Sequence, residues 1–201
     1  MDSVVIARDG AVLSAPITFE LVAGEMLAIQ GSNGSGKSTL LRTLAGLLPA
    51  HSGAVRVNEL SPTHMRPLYF GHKNGLSPSM SVLDNVSFWA KAAGYPELVG
   101  AALRYFDLDD IPGAIVNELS AGWQQRVALT RLITMPNTLW LLDEPTANLD
   151  AEGVALLQSL MQSRLEQGGI IVVATHFQMQ GGNLKILNLS PVAPIEKGVA
   201  A

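Results

Sequence analysis

A short segment rich in glycine and serine most constrains what this chain can fold into. Residues 31–38 read Gly-Ser-Asn-Gly-Ser-Gly-Lys-Ser, and they follow an apolar, strand-like run at 26–29. A helical pattern covers residues 39–47 directly afterwards. Glycines let the backbone curl so that successive N–H groups point at phosphate oxygens. The segment therefore predicts a phosphate-binding loop (P-loop) between a buried strand and a helix.

The last two residues of the loop indicate the kind of phosphate ligand. Lys37 adds a mobile positive charge, and the Ser38 hydroxyl can bind Mg²⁺. We therefore expect a nucleoside triphosphate bound together with Mg²⁺. The predicted nucleotide-binding residues of this segment are Gly31, Ser32, Asn33, Gly34, Ser35, Gly36, Lys37, Ser38 and Thr39.

Composition excludes several other classes of protein. The chain has 201 residues, 48% of them apolar, which suffices for one substantial core. Its net charge is −4 without a basic run, so nucleic acid is not an expected partner. It has no cysteine, which excludes a disulfide framework and cysteine-based zinc or redox chemistry. No run approaches the ~18 apolar residues that span a bilayer, so we expect no direct membrane insertion.

The hydrophobic pattern predicts an α/β fold. Short β-like runs separated by turns favour an antiparallel β edge, whereas almost wholly apolar runs are typical of a parallel core sheet covered on both faces. The antiparallel runs are 4–7, 11–13, 17–22 and 55–58, and the parallel runs are 26–29, 68–70, 138–142 and 170–175.

The remaining pattern is helical. Residues 75–135 are predicted to form a helical subdomain, in which Ser81 and Asp84 resemble a capping box. Residues 152–167 predict another amphipathic helix, with Gly168 as its C-cap. We expect a single domain over residues 1–190 and a tail at 191–201.

Two carboxylates follow the apolar run at 138–142. Asp143 and Glu144 stand at the carboxyl end of this predicted strand, where open parallel sheets bind ligands. By itself such a pair is more often a helix cap or a solvated turn. Together with the P-loop it predicts a Walker B motif, in which Asp143 holds Mg²⁺ and Glu144 polarises the attacking water.

A third segment, Leu-Ser-Ala-Gly-Trp at 119–123, begins a predicted helix that runs to about 134, with Ser120 as a natural N-cap. Alone it would be an ordinary helix start. The order of P-loop, this segment, the Walker B pair, Asn-Leu-Asp at 148–150 and Thr-His at 175–176 resembles the nucleotide-binding domains of ATP-binding cassette (ABC) proteins. The resemblance implies a P-loop NTPase fold with a parallel core sheet, an antiparallel β edge subdomain and a helical subdomain.

The resemblance also implies roles for individual residues. Ser120 and Gly122 of the signature segment would contact the γ-phosphate of ATP held by a second copy, so hydrolysis would need an ATP-sandwich dimer. His176 would be the switch histidine at the γ-phosphate. Glu144, His176 and Lys37 are thus the predicted catalytic residues, and residues 148–150 would link the two sites.

Three positions depart from the general ABC pattern. His72 stands where a glutamine normally follows the strand at 68–70, and we place it with Ser38 and Asp143 among the candidate metal ligands. Trp123 replaces the glutamine that ends the signature. Arg8 occupies the position of the aromatic residue that usually stacks on adenine, and its guanidinium plane is a candidate for that contact.

Less specific sequence motifs over residues 4–190 resemble the CcmA family. Members of this family are the ATP-binding subunits of the cytochrome c maturation (haem exporter) system. The motifs are Gly-His followed by Gly-Leu at 71–76, the Leu-Ser-Ala-Gly signature, Leu-Trp-Leu-Leu-Asp-Glu-Pro at 139–145 and Gln-Gly-Gly-Ile at 167–170. This resemblance implies an ATPase at the cytoplasmic face of the inner membrane, bound to integral membrane subunits of the CcmB and CcmC type.

Other classes of protein compete with this interpretation. The nearest is the ATPase subunit of another ABC importer or exporter, which the sequence does not separate from the CcmA family. A soluble non-transport ABC protein is expected to carry tandem cassettes, a coiled coil or basic surfaces, and none of these is evident. A P-loop kinase would lack the signature segment.

Overall fold

The computed structural model of the chain describes residues 1–57, 67–175 and 183–190. The strands are β1 (Asp2–Val5), β2 (Ala7–Arg8), β3 (Ala11–Val12), β4 (Met26–Gln30), β5 (Ser52–Ala54), β6 (Leu68–Phe70), β7 (Leu139–Asp143), β8 (Ile170–Ala174) and β9 (Leu184–Asn188). The α-helices are α1 (Lys37–Leu44), α2 (Val82–Ala93), α3 (Val99–Tyr105), α4 (Ala121–Leu129), α5 (Arg131–Thr134) and α6 (Ala151–Glu166). Within the described ranges, short 3-10 helices cover Pro96–Leu98 and Val116–Glu118.

The core is a five-stranded parallel sheet in the order β6-β7-β8-β4-β9. Successive residues of β4 enter opposite layers: Met26 and Ala28 join the core beneath the helical region, whereas Leu27 and Ile29 join the core that contains α1 and the amino-terminal strands. Both faces are therefore buried, which is why the four predicted parallel strands are almost continuously apolar. Their prediction is confirmed, with ends that differ by one residue at most.

The antiparallel edge is less regular than predicted. Strands β1 and β5 pair, and so do β2 and β3, but the predicted strand at 17–22 is reduced to one bridge between Ile17 and Val4. The reason is local: the Ser3 N–H donates to the Thr18 side-chain hydroxyl at 2.9 Å, which replaces a ladder bond. The predicted strand at 55–58 is also wrong over 55–57, because the pairing segment is Ser52–Ala54 instead. Residue 58 lies outside the described residues.

The helix boundaries follow local signals. The Ser81 Oγ accepts the Asp84 N–H at 3.0 Å, so the predicted cap of α2 is confirmed. The helix predicted from 121 to about 134 is divided into α4 and α5 at Thr130, whose hydroxyl donates back to the Val127 carbonyl at 2.6 Å. Helix α6 ends at Glu166 with Gln167 as its C-cap, so the predicted C-cap, Gly168, lies one residue further along, with φ 79°.

The described ranges contain no helix that is long and apolar enough to cross a membrane. The division into residues 1–190, with a helical part at 75–135, and a tail at 191–201 stays a prediction, and the tail lies outside the described residues.

Candidate nucleotide-binding site

The P-loop joins the carboxyl end of β4 to the first residue of α1. Gly34 and Gly36 have φ values of 83° and 101°, a backbone that side chains other than glycine rarely adopt. A Cβ atom at Gly31 would collide with the carbonyl oxygen of Leu189, which follows β9. The loop conformation and its close packing against the sheet therefore both depend on glycine.

Lys37 and the hydroxyl residues after it lie at the amino terminus of α1. Lys37 is only 8% exposed, and its Nζ donates to the carbonyl oxygens of Gly31 at 2.8 Å and Ser32 at 3.3 Å. The ammonium group thus lies over the loop. Ser38 and Thr39 belong to the first turn of α1, where the helix dipole favours an anion.

The two Walker B carboxylates stand at the carboxyl end of β7, as predicted. Asp143 is the last residue of that strand and only 3% exposed. Glu144 has a φ of 49°, and its N–H donates to the Ala174 carbonyl of β8 at 2.8 Å. This hydrogen bond fixes the sharp change of direction after β7, so the Glu144 side chain starts at the edge of the sheet. Since all five core strands are parallel, this edge also carries the P-loop.

Asp143 contacts a residue that sequence reasoning missed. The Tyr69 hydroxyl donates to Oδ2 of Asp143 at 3.4 Å, and Arg42 Nε donates to the same Tyr69 hydroxyl at 3.2 Å. Arg42 lies on α1 and Tyr69 on β6, so the contact joins three elements. Nothing in the local sequence pattern signals it, since Tyr69 stands in an apolar run.

The signature segment packs against residues 148–150. The Ser120 Oγ accepts the Trp123 N–H at 3.4 Å, which confirms the predicted cap of α4. A Cβ at Gly122 would lie 2.9 Å from the Asn148 carbonyl oxygen, so only glycine permits this approach. Asn148 itself has a φ of 63°. A cleft of about 460 Å³ opens here, and Ser120, Gly122, Trp123 and Asn148 line it.

Arg126, which the sequence analysis also did not select, connects the signature segment to the loop at 148–150. Its side chain is 5% exposed and pairs with Asp107 at 2.8 Å, Asp150 at 3.0 Å and Glu152 at 3.1 Å. Burial by itself would lower the pKa of Arg126, but hydrogen bonds to Asp150 and Glu152 outweigh it and raise the pKa. The Gly153 N–H and then Arg126 lower the pKa of Asp150. Trp123, 37% exposed, lies with its ring 5.0 Å from the Arg126 guanidinium.

Arg8 shares a cleft with the P-loop helix. The cleft, of about 520 Å³, is lined by Arg8 on β2, by Thr39 and Arg42 on α1, and by His51 before β5. The Arg8 side chain is 68% exposed and pairs with Asp9 at 3.5 Å. The structure thus brings the predicted base-contacting residue beside the predicted phosphate site, and it adds His51, which the sequence analysis did not select.

His72 lies exposed in the loop that follows β6. Its role as a metal ligand stays a prediction. Behind this loop, the Arg131 guanidinium lies between the rings of Phe70 and Trp89, at 5.0 Å and 5.2 Å, and burial lowers its pKa to about 10. A Cβ at Gly75 would lie 3.0 Å from Nη1 of Arg131. Arg131 therefore packs the loop against α2. His176, the predicted switch residue, lies outside the described residues.

Comparison with known proteins decides the family. Residues 15–147 match the family model described as ABC transporter. The chain belongs to this family. It is 36% identical over 192 residues to the cytochrome c biogenesis ATP-binding export protein CcmA of Roseobacter denitrificans, covering 96% of this chain and 90% of that protein. It is 40% identical over 186 residues to CcmA of Paracoccus denitrificans, covering 92% and 86%. Within the ABC transporters the chain is thus a member of the CcmA family and an ATPase.

Solved structures agree on the fold. A putative ABC transporter ATP-binding protein from Pyrococcus furiosus superposes with a TM-score of 0.79 at 22% identity, covering 93% of this chain and 94% of that chain. An ATP-binding cassette solved as a dimer with ADP and Pi gives a TM-score of 0.73 at 24% identity, covering 87% and 86%. The predicted fold class, a parallel core sheet with an antiparallel β edge and a helical region, is confirmed.

Proposed function

We propose that this chain is the ATP-hydrolysing subunit of a cytochrome c biogenesis (haem exporter) complex, and that it couples hydrolysis to membrane subunits. The observation that carries the proposal is the similarity to CcmA proteins over more than nine tenths of the chain. The arrangement of a P-loop and a Walker B pair at one edge of the parallel sheet supports the ATPase part of it.

The proposed phosphate site consists of the P-loop N–H groups, the amino terminus of α1 and the Lys37 ammonium. Lys37 exchanges its hydrogen bonds to Gly31 and Ser32 for bonds to the β- and γ-phosphate oxygens. Arg8 contacts the base from the shared cleft. These interactions are mainly electrostatic, which suits phosphoryl transfer, where positioning and charge stabilisation account for most of the catalysis.

The donor set beside the phosphates fits Mg²⁺. Asp143 offers a buried carboxylate and Ser38 a hydroxyl, and Mg²⁺ prefers such oxygen ligands. When bound, Mg²⁺ would neutralise charge on the β- and γ-phosphates. We assign Asp143 and Ser38 to hold it, keep His72 as a third candidate ligand, and expect His72 to sense the γ-phosphate from the loop after β6. Glu144 accepts a hydrogen bond from the attacking water and so orients it towards the γ-phosphate.

Catalysis in this proposal needs two copies of the chain. Ser120 and Gly122 at the start of α4 face the γ-phosphate held by the second copy, where the N–H groups and the helix dipole stabilise its charge. His176 of the copy that holds the nucleotide completes the contacts to the γ-phosphate. The loop at 148–150, packed against Gly122, links the two sites.

The proposed partners are integral membrane subunits of the CcmB and CcmC type, which hold the chain at the cytoplasmic face of the inner membrane. Hydrolysis then supports haem delivery to c-type cytochromes. The haem contacts are assigned to the partners.

Affinity purification of the tagged chain from detergent-solubilised membranes tests this proposal. We expect membrane subunits of the cytochrome c biogenesis system to co-purify, and deletion of the gene to abolish haem-stained c-type cytochromes. The Lys37→Ala variant should co-purify with the same subunits but not restore the cytochromes. Co-purification with subunits of another transporter, with normal cytochromes after deletion, would instead support an unrelated ABC importer or exporter.

A further inference from the structure

The Asp143 carboxylate lies at the end of a chain of hydrogen bonds that starts at Arg42 and passes through Tyr69. Arg42 Nε on α1 donates to the Tyr69 hydroxyl at 3.2 Å, and that hydroxyl donates to Oδ2 of Asp143 at 3.4 Å. The three residues come from the P-loop helix, from β6 and from β7. Tyr69 is separated from Asp143 by 74 positions in sequence.

The direction of these hydrogen bonds follows from the chemistry of the groups. A guanidinium has no acceptor atom, so the Tyr69 oxygen must accept from Arg42. The single hydroxyl proton of Tyr69 is then directed at Oδ2 of Asp143. The Tyr69 hydroxyl thus connects the Asp143 carboxylate to Arg42 on α1.

The Tyr69 ring also contacts the loop that carries His72. A Cβ atom at Gly71 would lie 2.7 Å from Cε1 and 3.0 Å from Cζ of Tyr69. The backbone of Gly71 therefore packs directly on the ring, next to the hydroxyl that contacts Asp143. One side chain joins the carboxylate, the P-loop helix and the beginning of the loop after β6.

We propose that Tyr69 is a positioning residue for the metal site: its hydroxyl orients the Asp143 carboxylate for divalent-cation binding, and Arg42 holds that hydroxyl in place. The inference rests on the proposed metal role of Asp143. Groups that hydrogen-bond to a metal-binding carboxylate fix its orientation, and their removal typically weakens metal affinity about 10- to 100-fold. Because the Tyr69 to Asp143 distance of 3.4 Å exceeds the roughly 2.5–3.0 Å usual for an O–H···O hydrogen bond, we expect an effect near the lower value.

The test is a titration of the protein with Mn²⁺ in the presence of ADP. Binding is measured from the electron paramagnetic resonance signal of the Mn²⁺ that stays free. Tyr69→Phe removes one oxygen and keeps the ring. We expect about tenfold weaker Mn²⁺ binding, whereas ADP binding measured in EDTA stays as in the wild type. Equal Mn²⁺ affinities would overturn the inference. A parallel loss of ADP affinity in EDTA would also overturn it, because the hydroxyl would then act through the P-loop.

A matched control removes an equivalent hydroxyl elsewhere. Tyr105 on α3 donates to the Leu156 carbonyl at 3.0 Å, so Tyr105→Phe loses a tyrosine hydrogen bond from the helical region. It should leave Mn²⁺ affinity unchanged. If Tyr105→Phe weakens Mn²⁺ binding as much as Tyr69→Phe, a general loss of stability explains both, and the positioning role is refuted.

Two further variants separate this inference from the proposed function. Asp143→Asn should nearly abolish Mn²⁺ binding; if it does not, the metal role of Asp143 fails, and the role of Tyr69 fails with it. Arg42→Gln should weaken Mn²⁺ binding less than Tyr69→Phe and add nothing in the Tyr69→Phe background. Independent, additive effects of the two substitutions would show that Arg42 does not act through the hydroxyl.

Discussion

Arg126 Nη2 on α4 donates a hydrogen bond to Oδ1 of Asp150, the N-cap of α6, at 3.0 Å. The pair connects the helix that begins with the signature segment to the loop at 148–150. In the proposed dimer both segments face the second copy. The mutual position of these two segments is therefore set inside one subunit, before a second copy binds.

Replacing Arg126 should destabilise the protein. Arg126→Met leaves Asp107, Asp150 and Glu152 close together without their shared cation. Loss of a buried charge partner can cost 3–5 kcal/mol, but these carboxylates are more than half exposed and can hydrate, so we expect about 2 kcal/mol. Urea unfolding measures the change. Arg104→Met, an exposed arginine on α3, is the control, and an equal loss there would contradict the role of the cluster.

The stability contributed by the Asp150 charge should depend on pH. The Gly153 N–H and Arg126 lower the pKa of Asp150 below its ordinary value of 3.8. The unfolded chain therefore takes up this proton first, so the contribution is present above the unfolded pKa and is lost as pH falls through the folded pKa. Asp150→Asn should be less stable than wild type at pH 7, and the difference should shrink below about pH 4. A difference that stays constant down to acid pH would exclude this linkage.

Removing the Lys37 ammonium should abolish productive nucleotide binding. The side chain is almost buried over the P-loop, and its substitution leaves the glycine backbone able to form the loop. A hydrogen bond to a charged group contributes about 1.5–3 kcal/mol, so Lys37→Ala should bind a fluorescent ATP analogue at least about tenfold more weakly. Lys91→Ala on α2 should bind normally. Near wild-type affinity and turnover in Lys37→Ala would remove this residue from the site.

His72 is predicted to couple the nucleotide site to the membrane partner. It lies exposed in the loop after β6, whose first residue packs against Tyr69. His72→Ala should leave ATP binding close to normal and reduce the level of c-type cytochromes in cells, with a smaller loss of ATPase activity than Glu144→Gln. Quantifying haem-stained cytochromes at equal protein levels decides between coupling and a spacer role. If the level of haem-stained cytochromes is unchanged in His72→Ala, the coupling role is wrong and the loop is only a spacer.

The core of the fold could be predicted because each of its buried strands is a continuous apolar run in the sequence. Strands β4, β6, β7 and β8 are buried and read as apolar runs. The sequence does not predict strand β9, because it is an edge strand with exposed positions. Lys185 is exposed, and Ile186 is 56% exposed. The antiparallel edge was overestimated because a side-chain hydroxyl, that of Thr18, takes a ladder position that no periodicity reveals.

The candidate site also contains residues that the sequence predicts and residues that it does not. The P-loop, the Walker B pair and the Ser120 cap are local motifs, and the structure places them as the sequence predicts. Arg42, Tyr69, Arg126 and Arg131 act through partners far away in sequence, so no local pattern could select them. Their roles become visible only when the parallel sheet brings the elements together.

The central claim is that this chain hydrolyses ATP in a site completed by a second copy, and Glu144→Gln tests it most directly. The substitution keeps the shape of the side chain but removes the carboxylate that orients water, so ATP should bind while hydrolysis stalls. Sedimentation velocity with and without ATP is the measurement. The account predicts an ATP-dependent dimer for Glu144→Gln and loss of that dimer when Ser120→Arg is added. A protein that stays monomeric with saturating ATP, or that turns over ATP at the wild-type rate, would contradict it.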